Sequence, residues 1–218
     1  MSPLQSFLPR RSAFRYLPIP IYVFAAGIYI QDNLFEISTI TGSSMAPTLS
    51  PLHETTGQRD GVLWKKWNAT HDLQRGDIVL LNSPRHPELM SVKRVIGLQG
   101  DEVWLDKKRR PADFENGRVN EAGRRWDLMR LKDGGKVKVP QGHVWLEGDN
   151  WRRTMDSNDY GPVSNSMIRG KAVALVWPWR QFGKSVGGAG DGFVSRTRVV
   201  PGKVREMEKE MGGWWEVH

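Results

Sequence analysis

The sequence predicts a mainly β domain preceded by one N-terminal helix that anchors the chain in a membrane. Two observations predict the domain: its apolar runs are short, and turn signals such as QGD and EGDN separate them. β-Branched and aromatic residues are enriched in these runs, which are GDIVLLNSP, SVKRVIGLQGD, DEVWLD, VKVPQGHVWLEGDN and GKAVALVWP. We therefore expect an all-β domain over residues 36–180. The glycine-rich stretch GKSVGGAGDG that follows predicts a flexible C-terminal tail at 181–218.

Residues 1–35 are predicted to form a basic leader and a membrane anchor. No acidic residue occurs before Asp32, and three arginines precede the apolar run LPIPIYVFAAGIYI at 17–30. This run has 14 residues, whereas a membrane-spanning helix usually needs about 20, so residues 31–37 would have to extend it. A cleaved signal peptide or a mitochondrial presequence is the alternative. We favour a retained anchor because no small-x-small cleavage site follows the run, and the arginines would keep the N-terminus on the side of synthesis or import.

The excess of positive charge is concentrated in one segment. The formal net charge is +8 and the sequence pI is about 9.9, values that suggest an anionic partner such as nucleic acid or lipid headgroups. Residues 106–138 contain 11 Lys and Arg against 6 Asp and Glu when counted from the sequence. We expect a basic insertion between strands here, and a solvated loop is favoured over a nucleic-acid surface.

The composition excludes several kinds of chemistry. Without cysteine, the chain has no thiol catalysis, no disulfide and no thiolate zinc site. Its five histidines are scattered and form no H-E-x-x-H motif, which argues against a metalloenzyme. We therefore expect neither a metal nor an organic cofactor.

A candidate nucleophile lies in the stretch GSSMAPTLS at 42–50. Serine and threonine favour turns because their hydroxyls bond nearby backbone groups, so an ordinary loop explains the stretch when it is taken alone. A serine held at a rigid turn is also how a hydrolase presents its nucleophile. The chemical interpretation requires a base elsewhere in the chain.

Lys93 is the candidate base. No histidine has an acidic partner in a recognisable triad pattern, and the other solution is a lysine that burial keeps neutral. Strand alternation places Lys93 on the same face as Val95, where neighbouring apolar strands can desolvate it. Lowering the lysine pKa from about 10.4 to about 7 or 8 requires roughly 3 to 4 kcal/mol. On the pattern alone, a surface lysine on a half-exposed strand is the alternative.

Four motifs in this order resemble the type I signal peptidases, membrane-anchored proteases with a serine/lysine dyad. They are SMAPTL (44–49), RGDIVLL (75–81), KRVIGLQGD (93–101), and GHVWLEGDN with DSNDYGPVS (142–164). Within that family they are most similar to the mitochondrial inner membrane proteases, and to the subunit 2 branch in particular. The resemblance covers about 36–180 and implies a signal-peptidase-like β-domain.

The resemblance also implies the roles of the catalytic and substrate-contacting residues. Ser44 is the expected nucleophile, and Lys93 is the general base that takes its proton and later returns one to the leaving amine. Met45 and Pro47 are expected to shape the turn and the wall that contacts substrate. The backbone N–H of Ser44 would supply one oxyanion donor.

Supporting residues follow from the last motif. Asp149 and Asp156 are expected to pair with Arg94 and brace the strand that carries Lys93; ordinary turn roles are the alternative for both. Thr154 takes the position of a serine that orients the lysine amine in many relatives. Where many bacterial members have a hydroxyl as a second oxyanion donor, this chain has Gly42, so the identity of that donor stays open.

The expected function is removal of hydrophobic sorting signals from imported proteins by a membrane-anchored serine/lysine endopeptidase. The resemblance implies an inner mitochondrial membrane location, a catalytic domain facing the intermembrane space, and a homologous catalytic subunit as partner. Membrane lipid is a further expected contact, and nucleic acid is not expected. Two alternatives remain open: a signal peptidase of a bacterial or plastid membrane, and a non-catalytic β-module whose segment 106–138 binds lipid or nucleic acid.

Overall fold

The computed structural model describes residues 18–104, 135–188, 193 and 195–202. Helix α1 (Pro18–Asn33) comes first, and two one-turn helices follow, α2 (His53–Thr56) and α3 (Ser157–Tyr160). The strands are β1 (Phe35–Thr39), β2 (Gly61–Lys65), β3 (Ile78–Asn82), β4 (Met90–Gly97), β5 (Glu102–Trp104), β6 (Lys136–Lys138), β7 (His143–Glu147), β8 (Val163–Ser164), β9 (Ile168–Trp177) and β10 (Arg198–Val200).

The described strands form two antiparallel sheets. The larger sheet has seven strands in the order β1-β2-β9-β3-β4-β7-β8, and the smaller has three in the order β10-β5-β6. β4 lies between β3 and β7, with Val79 opposite Lys93 and Glu147 opposite Arg94. The predicted mainly β architecture is confirmed, and it places Lys93 and Arg94 near the middle of the larger sheet.

Three clusters of buried apolar side chains form the core. One of them combines Trp64 and Ile78 of the sheet with Met45 and Leu49 of the loop that follows β1. Another combines Trp145 of β7 with Val103 of β5 and joins the two sheets. Because Met45 and Leu49 are both 0% exposed, the loop that carries the candidate serine is fixed by the core.

Helix α1 presents apolar side chains to its surroundings. It has 16 residues, and Tyr22 and Phe24 are among its exposed side chains. In the described part of the chain, no helix combines the length and the apolarity that crossing a membrane requires.

The tail predicted to be flexible is folded over its described residues, which corrects that expectation. Val186 is buried in the core, and Gly183 N–H donates to the carbonyl of Leu175. A Cβ at Gly187 would lie 2.8 Å from the Ile78 nitrogen, so this glycine permits close packing. Further on, β10 pairs with β5. The glycine-rich composition predicted a linker, but glycine also occurs where two backbones pack closely, and composition alone does not distinguish the two cases.

The basic insertion predicted at 106–138 lies mostly outside the described residues. Its last three residues belong to β6, which pairs with β5 so that Lys136 is opposite Trp104. The Lys136 ammonium lies 4.3 Å from the centroid of the Trp104 ring. This end of the segment is therefore part of the smaller sheet.

Candidate active site

The loop from β1 to α2 holds the candidate serine in a fixed place. The carbonyl oxygens of Ser43 and Ser44 each accept a hydrogen bond from Asn150, the first from its side-chain amide and the second from its backbone N–H, both at 3.0 Å. Gly42 precedes them with a φ of 116°, a conformation that side chains other than glycine rarely adopt. Asn150, for which the sequence pattern predicted no such contact, thus fastens this loop to the segment after β7.

Lys93 meets Ser44 across the sheet. Its side chain is 4% exposed, and its Nζ lies 3.4 Å from Ser44 Oγ and donates to the Val92 carbonyl at 3.2 Å. Burial lowers the pKa of Lys93, while the charges of Asp156, Asp159 and Asp149 act in the opposite direction. A buried amine beside a hydroxyl can accept the hydroxyl proton once the amine is neutral.

The two neighbouring serines have different partners. The hydroxyl of Ser43 hydrogen-bonds to the Glu54 carboxylate and, together with Arg153, lowers the pKa of Glu54. Ser44, in contrast, has the Lys93 amine beside it. The geometry therefore distinguishes Ser44 from Ser43 as the hydroxyl that a base can activate.

Arg94 joins three segments around the site. Its side chain is 0% exposed and forms a bidentate pair with Asp149, with Nε–Oδ1 at 2.9 Å and Nη2–Oδ2 at 2.7 Å. It also donates to the Gly76 carbonyl at 2.9 Å and to Thr48 Oγ1 at 3.3 Å. The residue after Lys93 thus ties β4 to the serine loop and to the turn that follows β7.

Asp156 caps a short helix beside the site, and its expected pairing with Arg94 stays a prediction. It is the N-cap of α3, where its carboxylate accepts from Asn158 N–H at 3.0 Å and its other oxygen accepts from Gly148 N–H at 3.1 Å. An aspartate directly before a short helix satisfies the first free N–H groups of that helix. The carboxylate therefore holds α3 against the turn at Gly148.

Thr154 does not form the hydrogen bond expected with Lys93. Its Oγ1 is buried and makes no hydrogen bond to any described residue. A Cβ built on Gly148 would lie 2.2 Å from this oxygen and 2.7 Å from the Ser44 carbonyl oxygen, so Thr154 packs beside the serine loop. A buried hydroxyl without a partner is unfavourable and is typical of a group that acquires its partner during function.

We expect Thr154→Val to lower turnover roughly tenfold to a hundredfold, which corresponds to about 1.4 to 2.7 kcal/mol. The reason is that a flexible lysine needs an acceptor to aim its amine at Ser44, and we expect the unpaired Thr154 hydroxyl to become that acceptor during the reaction. Thr154→Ser keeps the hydroxyl and should be nearly silent. Stability should not fall in the valine variant, because the hydroxyl has no partner among the described residues. Wild-type single-turnover rates in Thr154→Val would make Thr154 an ordinary loop residue.

Met45 and Pro47, predicted together as a substrate wall, have different environments. Met45 is 0% exposed and belongs to the core, which corrects its expected place in the wall that contacts substrate; its role in shaping the turn stays a prediction. Pro47 lines an open cavity of about 510 Å³ next to the serine loop.

Gly148 is the closest backbone contact of the serine loop, and a side chain there should displace Ser44. We expect Gly148→Ala to lower kcat about a hundredfold, since a shift of about 1 Å at a catalytic group has that effect. The alanine Cβ would lie within 2.7 Å of both Thr154 and the Ser44 carbonyl. Gly27→Ala is the control, because a Cβ at Gly27 meets nothing within 4 Å. Turnover of Gly148→Ala equal to that of this control would contradict the expectation.

A buried carboxylate that sequence analysis missed links the site to the tail. Glu147 accepts from Trp145 Nε1 at 2.9 Å, from the Asn158 amide at 3.0 Å, and from Thr197 Oγ1 at 2.7 and 2.9 Å. The strand pattern around HVWLE placed Glu147 in a β run, but no sequence signal paired it with a residue fifty positions later. No group of three or more acidic or histidine side chains in the described residues is arranged to hold a metal ion.

A serine hydroxyl beside a buried lysine on a β scaffold is the arrangement of a serine hydrolase that uses lysine as its base. The sequence pattern described as signal peptidase, peptidase S26, matches residues 13–177. The chain therefore belongs to the signal peptidase family and is a serine endopeptidase.

Several relatives share most of their length with this chain. Mitochondrial inner membrane protease subunit 2 of Schizosaccharomyces pombe is 37% identical, covering 72% of this chain and 73% of that protein. The protein of the same name from Danio rerio is 34% identical, covering 73% and 75%. Mitochondrial inner membrane protease subunit 1 of Homo sapiens is 34% identical, covering 66% and 70%. Among solved structures, signal peptidase I of Enterococcus faecalis aligns with 45% of this chain and 95% of that one, at 27% identity and a TM-score of 0.31.

Proposed function

We propose that the protein is a subunit of a mitochondrial inner membrane protease that removes hydrophobic sorting signals from proteins delivered to the intermembrane space. Ser44 is its nucleophile and Lys93 is its general base. The observation that carries this proposal is the 3.4 Å approach of Lys93 Nζ to Ser44 Oγ in a buried environment. The relatives named as mitochondrial inner membrane proteases support the location.

The proposed reaction begins with a neutral Lys93. Its amine takes the Ser44 proton while Ser44 Oγ attacks the carbonyl carbon of the scissile peptide bond. The Ser44 backbone N–H donates to the oxyanion that forms. Collapse of this intermediate breaks the C–N bond, and the Lys93 ammonium returns the proton to the leaving amine. A water molecule, deprotonated by Lys93, then hydrolyses the acyl-enzyme and regenerates Ser44.

An extended substrate fits beside the first half of β4. The pairing between β4 and β7 starts at Arg94, whereas Met90 to Lys93 pair with β3 alone in the described residues. One side of this segment therefore has backbone groups free to bind a peptide as an added strand. The added strand would lead directly to Lys93 and Ser44, with small side chains near the cleaved bond in shallow pockets.

The membrane anchor is also part of the proposal. The apolar side chains of α1 are exposed, and the 14 residues from Ile30 to Ser44 span at most about 50 Å even when extended. Ser44 would therefore act close to the membrane, on the intermembrane-space side, with a homologous catalytic subunit as partner. Alkaline extraction should leave the protein in the membrane pellet, and protease added outside intact inner membranes should digest the β-domain. A domain protected on the matrix side would contradict this topology.

The decisive experiment is cleavage of a precursor that carries a sorting signal, in detergent, by the wild type and by Ser44→Ala. We expect one cleavage by the wild type and none by Ser44→Ala, with equal circular dichroism for the two. If neither protein cleaves and both bind lipid or nucleic acid in a salt-sensitive manner, the chain is instead a basic binding module.

A further inference from the structure

A basic cavity lies between the serine loop and the C-terminal segment. Its volume is about 510 Å³, and it is bounded by Ala46 and Pro47 on one side and by Trp151, Arg152 and Arg196 on the other. Ala46 and Pro47 lie two and three residues after Ser44 in the same loop, so the cavity adjoins the site. Arg196 lies beyond residue 177, where the family match ends. The cavity therefore includes a part of this chain to which the family assigns nothing.

The positive charges in this cavity are not neutralised within the described residues. The guanidinium groups of Arg152 and Arg196 lie 4.9 and 5.4 Å from the centroid of the Trp151 ring. Neither has a carboxylate partner in the described part of the chain, and the carboxylate of Asp149, which also lines the cavity, is paired with Arg94. By comparison, the adjacent Arg153 pairs with Glu54. Stacking on one indole ring holds the two free guanidinium groups in place, so both face the same space.

The site has two sides of opposite character. On the open edge of β4, Leu89 and Met90 are 56% and 50% exposed and give an apolar approach to Lys93. Beyond Ala46 and Pro47 lies the basic cavity. A hydrophobic sorting signal matches the first side, so the chain that follows the cleaved bond must leave along the second.

We propose that this cavity binds an acidic side chain within the first few residues after the cleaved bond of the substrate. Guanidinium groups form charge-assisted hydrogen bonds with carboxylates, frequently as bidentate pairs. Two of them, in a cavity that Ala46 and Pro47 of the serine loop also line, would favour substrates with an aspartate or glutamate at this place. The inference rests on the proposed cleavage function and adds a preference for the sequence downstream of the signal.

The test uses two precursor peptides that differ only by Asp or Asn at the third residue after the cleaved bond, and the full-length protein in detergent. For the wild type we expect kcat/KM to be about fivefold to tenfold higher with Asp, and we expect Arg196→Gln to reduce this ratio to about one. Arg198→Gln is the matched control, because Arg198 stacks on Trp104 of the smaller sheet, 4.6 Å from its ring centroid. This control should keep the wild-type ratio.

A reversed charge gives the stricter readout. Arg196→Glu should prefer a Lys-bearing peptide over the Asp-bearing one. A wild-type ratio of one, or a ratio that Arg196→Gln and Arg196→Glu leave unchanged, overturns the proposal. If these variants instead reduce retention on vesicles containing phosphatidylserine while the ratio is unchanged, the cavity binds lipid headgroups and the proposal is wrong.

Equilibrium binding separates this inference from the proposed function. Fluorescent Asp and Asn peptides are titrated into the Ser44→Ala protein, in which no cleavage occurs. Tighter binding of the Asp peptide that Arg196→Gln removes supports the cavity even if the wild type cleaves neither peptide. Equal affinities for the two peptides, with cleavage intact in the wild type, overturn the proposal that the cavity binds an acidic side chain. The proposed cleavage function is then unaffected.

Discussion

Lys93→Arg should abolish peptide cleavage while the protein remains folded. Arginine keeps the charge and approximate length but has no accessible neutral state, so it cannot take the Ser44 proton. The loss of a general base corresponds to about a hundredfold to ten-thousandfold in rate. Single-turnover cleavage of a precursor in detergent measures it. Substantial residual turnover in Lys93→Arg would remove Lys93 from its role as base.

The same lysine makes the activity depend on pH. Burial lowers the pKa of Lys93 below its ordinary value, and only the amine without its extra proton can act as base. Activity should therefore rise with pH through the lowered pKa and fall when the pH is reduced below it. A rate that is independent of pH from 5 to 9, with chemistry shown to limit it, would contradict this account.

Lys93→Met provides the matched control for folding. Methionine is unbranched and of similar length, and it carries no charge into the 4% exposed position. Its thermal unfolding midpoint should equal or exceed that of the wild type, because charging a buried amine opposes folding. The sign follows from linkage: a lysine with a lowered folded-state pKa disfavours the fold most below that pKa, and the effect disappears as the pH rises toward the unfolded value. An unstable and inactive Lys93→Met would show that the lysine also supports the fold.

Breaking the buried pair of Arg94 and Asp149 should give the largest loss of stability. Both side chains are almost completely buried, at 0% and 2% exposed, so removing one partner leaves an uncompensated charge in the interior. We expect Arg94→Met to lower the free energy of unfolding by about 3–5 kcal/mol. Urea denaturation followed by tryptophan fluorescence measures this change.

Two further variants test whether the loss of stability comes from the unpaired, buried Asp149 carboxylate. The double variant Arg94→Met/Asp149→Leu should recover much of the lost stability, because neither charge then remains in the interior. Arg153→Met removes an exposed ion pair with Glu54 and should change the unfolding free energy little. If Arg94→Met is as mild as Arg153→Met, Arg94 does not hold the site together.

The local sequence pattern predicted the strands, and the order of four motifs predicted that Ser44 and Lys93 lie close together. The runs were correctly predicted as strands because they are short, rich in β-branched and aromatic residues, and bounded by turn signals. The approach of Lys93 to Ser44 depends on a sheet register that no spacing in the sequence encodes. It was predicted because four motifs in one order resemble a family, and the structure places the two side chains 3.4 Å apart.

Partners distant in sequence were the part that could not be predicted. Met45 was expected, from the family resemblance, to shape the turn and the wall that contacts substrate, yet its side chain lies in the core. Side-chain direction in a loop follows no periodic pattern that a sequence would show. The capping role of Asp156 was not predicted, because the short helix that follows it has no periodic pattern in the sequence. The glycines of the tail indicated flexibility because composition does not distinguish a linker from a tight contact.

The order in which the chain is made has a consequence for the site. β10 is the last of the described strands to join the smaller sheet. Glu147 accepts a hydrogen bond from the Thr197 hydroxyl. The ring of Phe193 lies 4.1 Å from the Arg94 guanidinium. Phe193, Thr197 and β10 follow Lys93 by 100 residues or more, so they are synthesised after both Ser44 and Lys93. A growing chain thus contains Ser44 and Lys93 before it contains the groups that complete their surroundings. The complete surroundings of Ser44 and Lys93 therefore form only after this later segment has been synthesised.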